Sequence, residues 1–377
     1  MFQEREKISG HQAFMLLWAA ALGNIFVVMS VPAVNSAGRD GWIPVLLAYL
    51  MAAPLGLSAV KLGLLFPRQT IVQYLPAVLG RLVGKSAALG YIVTFWLFAA
   101  VVYRETAELI ATAFLPRTPP ALIMSLLALL VAYTIKQGFE VFARIAELLV
   151  PALLVMIAGV CILVVPEMKA HHLAPVLEYG MLPVLKGIPR QLAFAAESVL
   201  IMGLWLPCVA ESARRHLSRQ VLFTLPPAGV LLGGLVAGEI AVFGPDTVAR
   251  LQFPVLSMTT MISIAWFFER LESVFMALWI TSSYLQLLVF SYPAVVGLAQ
   301  WLHLKDYRFL VVPVSAVAVA VATVPANVFE ALAWNDFFDL FFVLPLALLV
   351  PVALFLCSWS KERRHTVSGK ARKHRGN

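Results

Sequence analysis

Residues 267–302 read FFERLESVFMALWITSSYLQLLVFSYPAVVGLAQWL. Coiled as one helix, these 36 residues span about 54 Å at 1.5 Å per residue. A bilayer hydrocarbon core is about 30 Å thick, so the helix must tilt or protrude. Three charges, Glu269, Arg270 and Glu272, crowd its first turns. Everything after them is apolar or carries a neutral polar group. Acids in a first turn suit the positive end of the helix dipole, so this turn is expected at the outer edge of a membrane span. Deeper in the same run, Thr281 to Tyr284 (TSSY) offer hydroxyls for a ligand or cation, or for bonds back to the helix itself.

The rest of the chain agrees with that reading. Of 377 residues, 61% are apolar and 13% charged, with a mean hydropathy of +0.88. Soluble domains carry about 25% charged residues, so lipid is the expected solvent. The apolar runs predict an all-α integral membrane protein of about ten spans. Their limits are 12–35, 42–65, 86–114, 119–135, 139–165, 190–209, 219–244, 266–302, 308–326 and 338–359. The first run is read as an uncleaved span, because it is long and has no small-residue cleavage site.

Ten spans put both termini on one side. That side collects 18 Lys/Arg, including seven in the tail KERRHTVSGKARKHRGN (361–377), against 8 on the other. Without the tail the bias is still 11 to 8. The positive-inside rule then places both termini in the cytoplasm, with 327–339 as an acidic outer loop. The tail is read as a basic arm beside an anionic leaflet, with no nucleic-acid partner. An even count also divides into two sets of five, about 10–166 and 185–360. The second would enter the membrane inverted, a plan whose site lies at the midplane.

Several residues are out of place in lipid. Span 1 holds Gly23-Asn24 and then Pro32, which suit either a break lining a cavity or a simple kink. Span 6 runs LAFAAESVLIMGLWLP with Glu197 inside it. An intramembrane acid faces a cavity or a partner, so Glu197 is either a ligand- or proton-linked carboxylate or half of a structural pair. In span 5, Lys136, Glu140, Arg144 and Glu147 share a face by their spacing, and Glu147 falls about 13 Å in. That face must point into the protein, as a salt-bridge ladder or as a gate. Arg104 and Glu108 are spaced to pair near the outer end of span 3, where they read as a solvated helix end.

Enzymatic signatures are absent from the sequence. It has no Walker A, HExxH or GxSxG, and His171-His172 is wrongly spaced for a helical metal pair. No catalytic residue, metal or cofactor is expected. Cys161, Cys208 and Cys357 have no CxxC spacing and read as small buried residues.

The stretches GFEVFARIAELLVP (138–151) and FERLESVFMALW (268–279), with RETAELIATAFLPRTP (104–119), Gly23 and Pro32, resemble the spore germination protein B-subunit family. This family sits within the amino acid–polyamine–organocation superfamily. Gly138, Glu140, Arg144, Glu269, Arg270, Glu272 and Trp279 carry the match, which extends over about residues 8–360. The resemblance implies a LeuT-like 5+5 inverted repeat. It implies a subunit of a nutrient germinant receptor in the inner membrane of the bacterial spore, responding to a small nutrient such as an amino acid. An A-type membrane subunit and a C-type lipoprotein would be its partners. It further implies a pocket at breaks in helices 1 and 6, flanked by helices 3 and 8. On this chain that points to Gly23, Asn24, Phe194, Ala196, Glu197, Ser198, Thr281 and Tyr284. Where superfamily members often have glycine-rich backbone in helix 6, this chain has Ala195-Ala196-Glu197-Ser198. The charged groups Glu140, Arg144, Glu147, Glu269, Arg270 and Glu272 are expected to gate or to form a structural or partner-facing collar. An autonomous proton- or sodium-coupled amino acid transporter is the competing expectation.

Overall fold

The computed structural model describes residues 7–23, 29–261 and 271–356. Asn24, Glu269, Arg270, Cys357 and the 361–377 tail lie outside the described residues, and the Glu272 side chain is likewise not described. The elements follow in order: α1 (Gly10–Leu22), α2 (Ser30–Ala37), α3 (Trp42–Leu65), α4 (Ile71–Leu79), α5 (Arg81–Ala113), α6 (Pro120–Gln137), α7 (Phe139–Leu163) and α8 (Leu182–Trp205). Then come α9 (Glu211–Arg214), α10 (Leu217–Phe243), α11 (Pro245–Val248), α12 (Pro254–Met261), α13 (Leu271–Trp301), α14 (Arg308–Ala322) and α15 (Val328–Phe338). A π-helical turn, Asp339–Val343, follows α15 and leads into helix 344–356.

Among the described residues, eight helices are long and apolar enough to cross a membrane. The α1/α2 pair and the shorter apolar α14 bring the total to the ten read from the sequence. Local chemistry sets many of the boundaries. Ser9 and Gln12 form a reciprocal capping box that starts α1, and Thr70 with Gln73 starts α4 in the same way. Pro120 opens α6, where a missing N–H costs nothing. Gly138, at φ +109°, separates α6 from α7 in a backbone region that favours glycine. Lys136 therefore belongs to a different helix from Glu140, Arg144 and Glu147, and the expected four-residue face does not exist.

Burial sorts the helices into an inner and an outer set. Within their apolar windows α8 is 94% and α13 89% buried, while α7 and the helix from Glu330 to Leu356 are 28% buried. The inner pair therefore packs on protein, and the outer pair presents apolar side chains outward, as a lipid-facing helix must. α8 packs against α3, α1 and α2; α3 also packs on α10, and α5 on α13. Glycines permit the closest approaches. A Cβ on Gly84 of α5 would fall 2.4 Å from the Leu75 carbonyl oxygen and from Pro76 Cα of α4.

Three further expectations change. Span 6 is not interrupted: α8 runs unbroken through 195–198. Ala, Glu and Ser carry no helix-breaking penalty comparable to Gly or Pro, and the Ser198 hydroxyl donates back to Ala195 O at 2.5 Å. The stretch 327–339 is no loop but α15, capped by the Asn327 side chain on the Glu330 N–H. Arg104 is not a solvated helix end. It is buried, pairs with Glu108 at 2.6 Å, and donates to the Ala326 carbonyl at 3.2 Å, tying α5 to the end of α14.

Candidate functional site

Span 1 is delivered as two helices, since α1 ends at Leu22 and α2 begins at Ser30. Side chains from neighbouring helices bond backbone carbonyls at the two facing helix ends. Tyr49 of α3 donates its hydroxyl to Ala21 O at 2.9 Å. Gln191 of α8 donates Nε2 to Met29 O at 3.2 Å. On the other side, Gln286 of α13 lies against Gly23, where a Cβ would come within 2.9 Å of its Cγ. The facing ends of α1 and α2 are thus contacted from α3, α8 and α13.

Glu197 sits on α8 beside this frame, 3% exposed. Arg190, Phe194 and Glu197 lie on one helix face by their spacing. Tyr49 faces Glu197 from α3, Glu105 from α5, and Asp339 from the π turn after α15. Asp339 is 1% exposed, on a π turn that packs against α8. Its Oδ2 accepts from Asn335 Nδ2 at 2.9 Å. Arg190 ion-pairs with Asp336 of α15. The result is a buried polar cluster drawn from four helices, inside a core that is otherwise apolar. Several acceptors in it have no hydrogen-bond partner among the described residues: Glu105 Oε1, Gln191 Oε1 and Asp339 Oδ1. π turns recur at functional sites because they re-aim side chains, and this one places Asp339.

Gly23, at the end of α1, and Phe194, Ala196, Glu197 and Ser198, on α8, are all buried, and α8 packs against both α1 and α2. The two α13 candidates have other partners. Thr281 donates back to Ala277 O at 2.7 Å, and Tyr284 OH meets Thr134 Oγ1 of α6 at 2.5 Å. Gln286 is the α13 side chain at the break. Glu105, Arg190, Gln191, Asp339 and Gln286 were not singled out from the sequence. Glu105 is hidden in RETAELI beside a more conspicuous i,i+4 pair, and Asp339 in what read as an acidic loop. The available signal was that Asp336 and Asp339 immediately precede an apolar run.

The charges of α7 lie apart from this cluster. Glu147 accepts from Gln12 Nε2 at 3.2 Å and lies 3.7 Å from His11 Nε2, so it is level with the start of α1 rather than deep in the core. Arg144 is 68% exposed and pairs with Glu140 at 2.6 Å. The expected inward-pointing ladder is therefore a helix-end arrangement near the protein surface.

The same face carries a strap. Ile8 N–H donates to Cys208 O at 2.9 Å and Ala210 N–H to Ile8 O at 3.1 Å, just past the end of α8. Lys7 Nζ donates to Pro207 O at 2.9 Å, and Gln220 Nε2 to Gly10 O at 2.7 Å. A cavity of about 60 Å³ lies beside the strap, lined by Lys7, Arg68, Thr70 and Gln300 among others. None of its lining residues belongs to the carboxyl cluster.

Comparison with known proteins accounts for this architecture. A family profile described as spore germination protein matches residues 7–329. Spore germination protein KB of Bacillus subtilis is 28% identical over 376 residues, covering 98% of this chain and all of the relative. Spore germination protein XB of Bacillus anthracis is 24% identical, covering 75% of this chain and 79% of the relative. Among solved structures, MhsT in complex with L-phenylalanine superposes with a TM-score of 0.64 at 14% identity, covering 94% of this chain and 89% of that one. Mhp1, a nucleobase-cation-symport-1 family transporter, gives 0.67 at 14% identity, covering 93% and 78%. These likenesses establish a LeuT-like membrane fold, and the family match over most of the chain establishes that it belongs to the spore germination protein family.

Proposed function

We propose that this chain is the membrane subunit of a spore nutrient germinant receptor, and that it binds a small nutrient, an amino acid, where the α1/α2 break meets α8. The observation that carries this reading is Glu197, a carboxyl group buried on α8, the helix that packs against both α1 and α2. A break supplies backbone donors and acceptors for a zwitterion, and a nearby acid supplies charge for its ammonium group. Nutrient binding would favour one arrangement of α1, α2 and α8, to the extent of its differential affinity. A-type membrane and C-type lipoprotein subunits would read that arrangement. In this proposal the protein sits in the inner membrane of the spore with both termini on the core side. The segments 10–166 and 185–360 are then inverted repeats, a reading supported by the packing of α3 on α10 and α5 on α13.

The test uses spores lacking this chain, complemented with wild type or Glu197→Gln, and a panel of amino acids and sugars scored for germination. The expected result is a nutrient response restored by wild type and shifted at least tenfold in dose by the variant, with equal protein present. Normal dose–response curves in the variant would overturn the assignment.

A second reading is an autonomous proton- or sodium-coupled amino acid transporter. The fold it shares with MhsT and Mhp1 favours it. Uptake of a radiolabelled amino acid by liposomes holding this chain alone would support transport over sensing.

A further inference from the structure

We propose that the cavity beside the strap is a binding site for a small oxyanion of the phosphate class, held by Lys7, Arg68 and the buried Gln300 at the start of α4. Separate parts of the chain build it. Lys7 comes from the strap, and Arg68 from the link between α3 and α4. Thr70 and Gln73 come from the N-cap and first turn of α4, and Gln300 from the end of α13. Pro207 and Cys208, past the end of α8, complete the polar part of the wall. The volume of about 60 Å³ takes roughly four waters at about 10–15 Å³ each, the size of an anion of four or five heavy atoms.

The wall offers donors that no described acid answers. Gln300 is 8% exposed. Its Oε1 accepts from Thr70 Oγ1 at 2.5 Å, which fixes the amide. Its Nε2 makes no hydrogen bond among the described residues and is the donor it offers the cavity. Lys7 gives one ammonium proton to Pro207 O at 2.9 Å and keeps two. Arg68 makes no hydrogen bond or ion pair among the described residues. Arg214 donates to the same Pro207 carbonyl at 3.1 Å, a third cation next to the cavity. Glu211 opens α9 on the same stretch and pairs with neither Lys7 nor Arg68. The start of α4 adds the positive end of a helix dipole, which favours an anion, and a guanidinium matches an oxyanion in bidentate geometry. A bound anion would bridge the strap, α4 and α13, and so favour the arrangement that holds them together. The site shares no residue with the α1/α2 break and does not rest on the nutrient reading.

The test is protection of the Cys208 thiol, which lines the cavity, from maleimide in the full chain with Cys161 and Cys357 replaced by serine. The chain is held in a phosphate-free sugar detergent, and sodium phosphate is compared with sodium chloride at equal ionic strength and pH. Phosphate is expected to slow labelling about threefold or more. Arg68→Gln, at an exposed residue, is expected to abolish the difference. Arg215→Gln, at an exposed cation outside the cavity wall, is expected to keep it. A parallel arm with short-chain phosphatidylglycerol separates the sources. Protection by free phosphate supports a soluble anion, and protection by the lipid alone supports a headgroup in the same site. Protection by neither, or protection that survives Arg68→Gln, overturns the proposal. Glu4 and Glu6 precede Lys7 in the sequence and are the chain's own rival anions, so the assay is repeated in Glu4→Gln/Glu6→Gln. Protection that appears only in that double variant also overturns it.

Discussion

Arg104 shows how one residue can be misjudged from its spacing. The i,i+4 distance to Glu108 predicts an exposed pair worth a few tenths of a kcal/mol. Buried against the end of α14, the guanidinium instead satisfies a carboxylate and backbone carbonyls together. Arg104→Ala leaves those acceptors unmet and is expected to cost roughly 3 kcal/mol, read as a lower thermal midpoint and folded yield in detergent. Arg104→Lys should recover part of the loss, because an ammonium lacks the planar fork. A midpoint unchanged in the alanine variant would refute the clamp. Glu197 was legible because an acid inside LAFAAESVLIMGLWLP has no solvated alternative. Asp339, buried on the π turn that packs against α8, was not, because three acids ahead of an apolar run read equally well as loop.

At the scale of elements, close backbone approach decides what a position tolerates. Gly84→Ala brings a methyl group against the Leu75 carbonyl and Pro76 of α4, which are backbone and cannot swing aside. α4 must shift off α5, and a loss of about 1–3 kcal/mol is expected, measured as a fall in unfolding midpoint. Gly90→Ala, with open space around it, is the control that should be neutral or stabilising. The strap between residue 8 and the end of α8 makes a second prediction. Ile8→Pro deletes the N–H that bonds Cys208 O. One such bond is worth about 0.5–1.5 kcal/mol, so maleimide labelling of buried Cys208 should speed up to about tenfold when Cys161 and Cys357 are replaced by serine. Unchanged labelling would mean that the strap does not hold this face closed. Helix existence was legible for nearly every span, since apolar length alone signals it. The continuity of α8 was not, because the superfamily resemblance argued for a break that its own residues, all compatible with helix, do not make.

For the whole molecule, α7 separates stability from communication. The Glu140–Arg144 pair is exposed at a helix start, where such pairs contribute about 0.3–0.5 kcal/mol. The double variant Glu140→Ala/Arg144→Ala is expected to keep the nutrient preference of the wild type and to lower protein abundance or the extent of germination. A switched preference in the germination panel would contradict this, because it would place the pair at the ligand. Glu269 and Arg270, just ahead of α13 in the sequence, lie outside the described residues.

The sequence by itself determined the solvent, the number of spans and the family. Each depends on local quantities: apolar length against bilayer thickness, and motifs contiguous along the chain. Tertiary structure alone decided which polar groups meet. Glu105, Glu197 and Asp339 are separated by 92 and 142 positions, and only the packing of α5, α8 and α15 makes them neighbours. In a medium without water a buried polar group must find its partner on another helix, and a single chain read in order does not say which helix that is.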